Sequence, residues 1–118
     1  MRLATLRRHR TGEHQTGVVG QVRLDRRTKD LSRRLRSGDI AVIDHVDLDR
    51  VGAEALVAHG VGAVINVSPS ISGRYPNLGP EVLLEAGVPL IDGVRAEAFS
   101  RLREGDSVRI EGDTVYDL

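Results

Sequence analysis

Cysteine and tryptophan are missing from this 118-residue chain, and its aromatic rings number one Phe and two Tyr. Without cysteine there is neither a disulfide framework nor a thiolate metal site. With so few rings the core has to be aliphatic, and stacking on nucleic-acid bases is disfavoured. No segment approaches the roughly 18 consecutive apolar residues of a membrane span, and no signal-peptide pattern opens the chain. The expectation is a cytoplasmic protein without a transmembrane segment. The length suits one domain with a real core and is short for a two-domain enzyme.

An excess of one charge is missing too, since Lys+Arg and Asp+Glu are 17 each. The balance conceals a split: residues 1–36 carry a net +8 and residues 37–118 a net −8. The basic segment (Arg2, Arg7, Arg8, Arg10, Arg23, Arg26, Arg27, Lys29, Arg33, Arg34, Arg36) suits attraction to nucleic acid, anionic lipid or an acidic partner. The alternative is that it neutralises the acidic body of its own domain or of a neighbour.

Residues 1–16 show no periodicity and read as a flexible basic arm, leaving 17–118 as the folded domain. Val18, Gly20, Val22 and Leu24 alternate with Val19, Gln21 and Arg23, a first strand. Thr28 is positioned to cap a short basic helix from Lys29 to Leu35, stopped by Ser37-Gly38. Asp39–Asp44 and Gly62–Val67 are continuous apolar runs, the mark of strands buried on both faces. Between them Asp47 is positioned to cap a helix whose Leu48, Val51, Ala55, Leu56 and His59 recur at three-to-four spacing, with Gly60 as its stop. A third helix has Pro80 in its first turn and Gly87 after its last. Val88–Ile91 is a brief strand, Glu97–Arg103 a helix, and Ser107–Ile110 with Thr114–Tyr116 a terminal hairpin. The fold class is α/β, a compact β/α/β domain with parallel central strands and a C-terminal antiparallel hairpin.

The stretch Ser68-Pro-Ser-Ile-Ser-Gly-Arg-Tyr-Pro-Asn-Leu-Gly-Pro80 follows a strand and precedes a helix, where α/β proteins keep their sites. It offers Ser70, Ser72, Arg74, Tyr75 and Asn77 as candidate ligand- or partner-binding residues and contains no carboxylate, cysteine or histidine. That inventory suits holding an anion or a partner better than breaking bonds. Phosphate-loop and dinucleotide glycine spacings are absent, and Ser70 and Ser72 lack a base within the loop. The cluster Asp44-His45-Val46-Asp47-Leu48-Asp49 has donors that cations accept, yet it straddles a strand end and a helix start, so its side chains diverge. The reading assigns no catalytic residue, no metal ligand and no cofactor.

Two resemblances are carried by longer strings. Gly38-Asp-Ile-Ala-Val, Gly60-Val-Gly-Ala-Val-Ile, Glu85-Ala-Gly-Val-Pro-Leu-Ile and Leu102-Arg-Glu-Gly-Asp-Ser-Val-Arg-Ile-Glu-Gly resemble the phosphohistidine swivelling domain of phosphoenolpyruvate-utilising enzymes. That family places a Thr-Ser-His loop where this chain has Arg74-Tyr-Pro-Asn-Leu78, so the resemblance implies the fold and not the phosphotransfer. Asp25-Arg-Arg-Thr-Lys-Asp-Leu31, Leu35-Arg-Ser-Gly-Asp-Ile-Ala-Val-Ile-Asp-His45, Asp47-Leu-Asp-Arg-Val51 and Ser70–Pro80 resemble the N-terminal region of the actinobacterial SteA family, over nearly the whole chain. This second resemblance implies a cytokinetic-ring role with a partner of the SteB kind, reached at the septum or inner membrane face through regions that follow in longer members. Those regions are thiamin pyrophosphokinase-like and then hydrophobic. The expectation is a non-catalytic interaction module, with self-association and an anionic ligand left open. Its rivals are a lid or substrate-binding module of a pyrophosphokinase-like enzyme, and a basic tether to nucleic acid or anionic membrane.

Overall fold

The computed structural model describes residues 5–8, 17–73, 78–92, 101–112 and 114–118. In chain order the elements are β1 (Thr5–Arg8), β2 (Val18–Leu24), α1 (Thr28–Ser32), β3 (Ile40–Ile43), α2 (Arg50–Ala58), β4 (Ala63–Asn66), α3 (Gly79–Glu85), β5 (Leu90–Ile91), β6 (Ser107–Glu111) and β7 (Thr114–Asp117). They form one seven-stranded sheet in the order β1-β7-β6-β2-β3-β4-β5. From β2 to β5 each strand pairs in parallel with the one before it. Right-handed crossovers between strands added in one direction place all three helices on the same face of the sheet.

The strand alternation sorts the core accordingly. Ala41, Ile43 and Val64 pack with Leu31, Leu35, Leu48, Ala53, Leu56 and Leu83 from the helices and their approaches. Ile40, Val42, Ala63, Ile65 and Ile91 point the other way and join Val22, Leu102 and the hairpin's Val108, Ile110 and Val115. Both β3 and β4 are buried along their whole length, as their unbroken apolar runs require. At about 25 cal/mol per Å² of apolar surface removed from water, these aliphatic layers are the main source of stability.

The expected hairpin is present: β6 and β7 pair antiparallel, with Glu111 opposite Thr114. β6 also pairs antiparallel with the first half of β2, while the second half of β2 pairs with β3. The alternation of residues 18–24 is thus that of a strand shared between the parallel and antiparallel parts of the sheet. Thr5–Arg8, within the segment read as an arm, forms β1 and pairs in parallel with β7; the rest of 1–16 lies outside the described residues. Strand pairing supplied there what periodicity could not reveal.

Several local expectations are corrected. Asp49, not Asp47, caps α2: its carboxylate accepts the Gly52 N–H at 2.7 Å. Of the apolar set proposed for α2, Leu48 and Leu56 are buried and Ala55 is half-buried, while Val51 is 75% exposed and His59 is exposed at the helix end; the buried alanine is Ala53, which the pattern did not include. Thr28 is the first residue of α1, which has no side-chain cap, and the helix proper ends at Ser32 with tighter turns through Arg34. Leu31 and Leu35 nonetheless turn inward as expected. Gly60 stops α2 with φ of 72°, a left-handed conformation that glycine adopts without strain. Gly79 opens α3 for a different reason, since a Cβ there would lie 2.2 Å from the Leu48 carbonyl oxygen. The expected helix Glu97–Arg103 falls mostly outside the described residues. No helix among the described residues is long and apolar enough to cross a membrane.

Candidate functional site

Four parallel strands end side by side, at Leu24, Ile43, Asn66 and Ile91, and the residues that follow bring Asp25, Asp44, His45, Ser68 and Asp92 to one edge of the sheet. In parallel sheets this carboxyl edge is where loops gather into sites.

Asn66 organises it. The side chain is fully buried at the end of β4. Its Oδ1 accepts the His45 and Ser68 N–H groups, each at 3.1 Å. Its Nδ2 donates to the His45 carbonyl at 2.9 Å and to Ser70 Oγ at 2.8 Å. The amide therefore locks the end of β3 to the start of the 68–80 loop, with its polar atoms all engaged. Ser70 is itself buried, and its N–H donates to Asp92 Oδ1 at 2.8 Å. Ser70 thus belongs to the stem of the loop, below the surface a partner would meet.

Asp47 holds the next part of the loop. Its backbone adopts φ of 52°, an uncommon conformation that Asp tolerates better than most residues. Its N–H donates to the Pro69 carbonyl at 3.0 Å, and its carboxylate accepts the Ser72 N–H and hydroxyl, each at 2.7 Å. Ser68 Oγ donates to Asp44 Oδ1, whose other oxygen accepts Arg26 Nη1 at 2.8 Å. The loop contains no carboxylate of its own, but Asp44 and Asp47 from the loop after β3 and Asp92 after β5 engage its serines. Sequence reading missed these partners because they lie 22 to 25 positions away.

Beyond this stem the described residues 71–73 and 78 are exposed. Ile71 is 54% exposed, and Val46 and Leu78 on the same pair of loops are 56% and 46% exposed. Ser72 and Gly73 are exposed as well. Arg74, Tyr75 and Asn77 lie outside the described residues.

The Asp44–Asp49 cluster is dispersed as expected from its spacing: Asp44 turns to Ser68 and Arg26, Asp47 to Ser72, and Asp49 to the helix cap. Among the described residues, no three His, Asp or Glu side chains are arranged to hold a metal ion. His45 has a neighbour that its sequence position did not suggest, since Thr28 Oγ1 lies 3.0 Å from its Nδ1. The contact ties the start of α1 to the loop after β3. A hydroxyl and an imidazole at that distance resemble a nucleophile and its base, but catalysis also needs donors placed for a developing negative charge. Of the carboxylates on the neighbouring positions, Asp44 is engaged by Ser68 and Arg26 and Asp47 by Ser72.

The basic segment is sorted by the fold. Arg23 pairs with Asp39 at 3.1 Å and Arg26 with Asp44 at 2.8 Å. Arg34 reaches Glu104 and Asp25, each at 3.1 Å, and also donates to the Leu24 carbonyl at 2.9 Å. The Arg27 N–H and the Arg34 guanidinium hold the Asp25 carboxyl below its usual range. Burial pushes the Glu104 carboxyl up, but the Leu24 N–H and the Arg34 and Arg23 cations together outweigh it and leave the group lowered. Arg27, Lys29, Arg33 and Arg36 are exposed, and no ion pair engages them among the described residues. Among the seven basic residues between 17 and 36, self-neutralisation therefore accounts for Arg23, Arg26 and Arg34 and leaves Arg27, Lys29, Arg33 and Arg36.

Comparison with the models of known protein families and with the curated proteins finds no match.

Proposed function

We propose that the chain is a non-catalytic interaction module that captures a protein partner through the 68–80 loop. On the resemblance of Asp25–Leu31, Leu35–His45, Asp47–Val51 and Ser70–Pro80, it serves as the N-terminal module of a SteA-like cell-division protein whose partner is of the SteB kind.

One contrast supports the docking reading. The stem of the loop is held by Asn66, Asp92 and Asp47, while Ile71, Val46 and Leu78 stand exposed around it. Covering exposed aliphatic side chains contributes about 25 cal/mol per Å², and a stem already held by hydrogen bonds loses little further entropy on binding.

The test is calorimetric titration of a SteB-like partner into the full chain. Ile71→Asp, and separately the triple change Arg74→Ala, Tyr75→Ala, Asn77→Ala, should each weaken binding at least tenfold without altering the circular dichroism or the melting temperature. Unchanged affinity in both, with the fold intact, overturns the proposal.

A further inference from the structure

We infer that the exposed face of α1 and its two flanks form a contact surface for the phosphate backbone of double-stranded nucleic acid, independent of base sequence. The surface uses none of the residues of the 68–80 loop, and the inference does not rest on the docking proposal.

The starting observation is which cations the fold neutralises. Arg23, Arg26 and Arg34 engage Asp39, Asp44, Asp25 and Glu104, the carboxylates around α1 that could otherwise oppose an incoming anion. Arg27, Lys29, Arg33 and Arg36 keep their charge for solvent. Leu31 and Leu35 fix the orientation by turning into the core. Lys29 and Arg33, four positions apart, are neighbours on the exposed side, with Arg27 before the helix and Arg36 after it. Asp30 is the one carboxylate on α1, and it forms no ion pair with them among the described residues.

The chemistry of the surface narrows the occupant. Three of the four cations are guanidinium groups, whose planar forks grip phosphate oxygens in pairs. No aromatic residue occurs between 17 and 74 to stack on or read a base, so the contact is to the backbone. None of the exposed large hydrophobics, Val19, Val46, Val51, Ile71, Leu78, Leu84 and Leu118, lies on α1 or its flanks, which leaves nothing to insert into a bilayer.

The experiment is fluorescence anisotropy of a labelled DNA duplex of arbitrary sequence with the full chain between 50 and 200 mM NaCl. Each neutralised phosphate contributes about −0.9 to the slope of log K against log salt, so four contacts contribute about −3.6. The quadruple change Arg27→Ala, Lys29→Ala, Arg33→Ala, Arg36→Ala should weaken binding at 50 mM salt at least tenfold and reduce the slope by about 3. The triple change Arg27→Lys, Arg33→Lys, Arg36→Lys, which with Lys29 keeps all four charges, should retain the slope, and Arg26→Ala, in the neutralised set, should change it little. Parallel titrations use phosphatidylserine vesicles and a poly-glutamate peptide. The inference is overturned if the duplex is not bound at 50 mM salt, if the quadruple alanine variant binds it with an unchanged slope, or if vesicles or poly-glutamate bind more tightly than DNA.

Discussion

A buried amide is stable only when its donors and acceptors find partners, and Asn66 finds them at His45, Ser68 and Ser70. Asn66→Ala strands the His45 and Ser70 groups away from water, and an unsatisfied buried polar group costs about 1–3 kcal/mol. The substitution should lower the stability read from urea midpoints by about 3 kcal/mol, and it should speed amide hydrogen exchange at Ser68 and Ser70 more than at Ala53. Local chemistry made some residues legible in advance: glycine at positive φ after α2 and α3, and proline in the first turn of α3. It failed between Asp47 and Asp49. Both are acidic residues before an apolar helical pattern, and propensity does not separate them. Asp47 is recruited by Ser72 across 25 positions, which leaves Asp49 to cap the helix.

α1 is a short element with a large electrostatic share. Arg34 joins it to the Asp25 turn, the β2 carbonyl of Leu24 and Glu104 near the start of β6. Asp25 and Glu104 both have lowered carboxyl pKa values in the fold. An unfolded chain therefore binds protons more readily than the folded one as acid is added, and the contribution is complete above the ordinary carboxylate range, near pH 4. It is lost as pH falls through that range. These groups are partly exposed, so solvent screening limits each pair to less than about 1 kcal/mol. Arg34→Ala should lower the urea midpoint at pH 7, and the gap from the unaltered chain should narrow as pH drops from 5 to 3; a gap constant across that range would contradict the assignment. The amphipathic spacing of Leu31 and Leu35 was readable from sequence, but the length of the helix was not. A five-residue helix gains little from propensity and is set by what its ends can bond to.

For the molecule as a whole, the decisive feature is a sheet with helices on one face and a second apolar cluster on the other. Leu102 is buried in that second cluster, 3% exposed, together with strand residues from β2 to β7. Leu102→Ala should cost about 2–4 kcal/mol in thermal or urea unfolding as a single cooperative loss, by the usual penalty for a large-to-small core change; a loss below about 1 kcal/mol would mean the residue is peripheral. The sequence by itself determined the strands at 40–43 and 63–66, the stops of α2 and α3 and the hairpin, because apolar runs and glycine or proline chemistry act within a few residues. It also determined the segregation of charge along the chain. Only the tertiary structure decided that β2 pairs with both β3 and β6, that β1 joins β7, which carboxylates hold the 68–72 serines, and which cations remain available. Those outcomes depend on groups as far apart in the chain as Thr5 and Thr114, or Val18 and Ile110, meeting in one sheet. Side-chain periodicity carries no information about partners at that range, whereas hydrogen bonds and ion pairs form with whichever group the sheet order brings within reach.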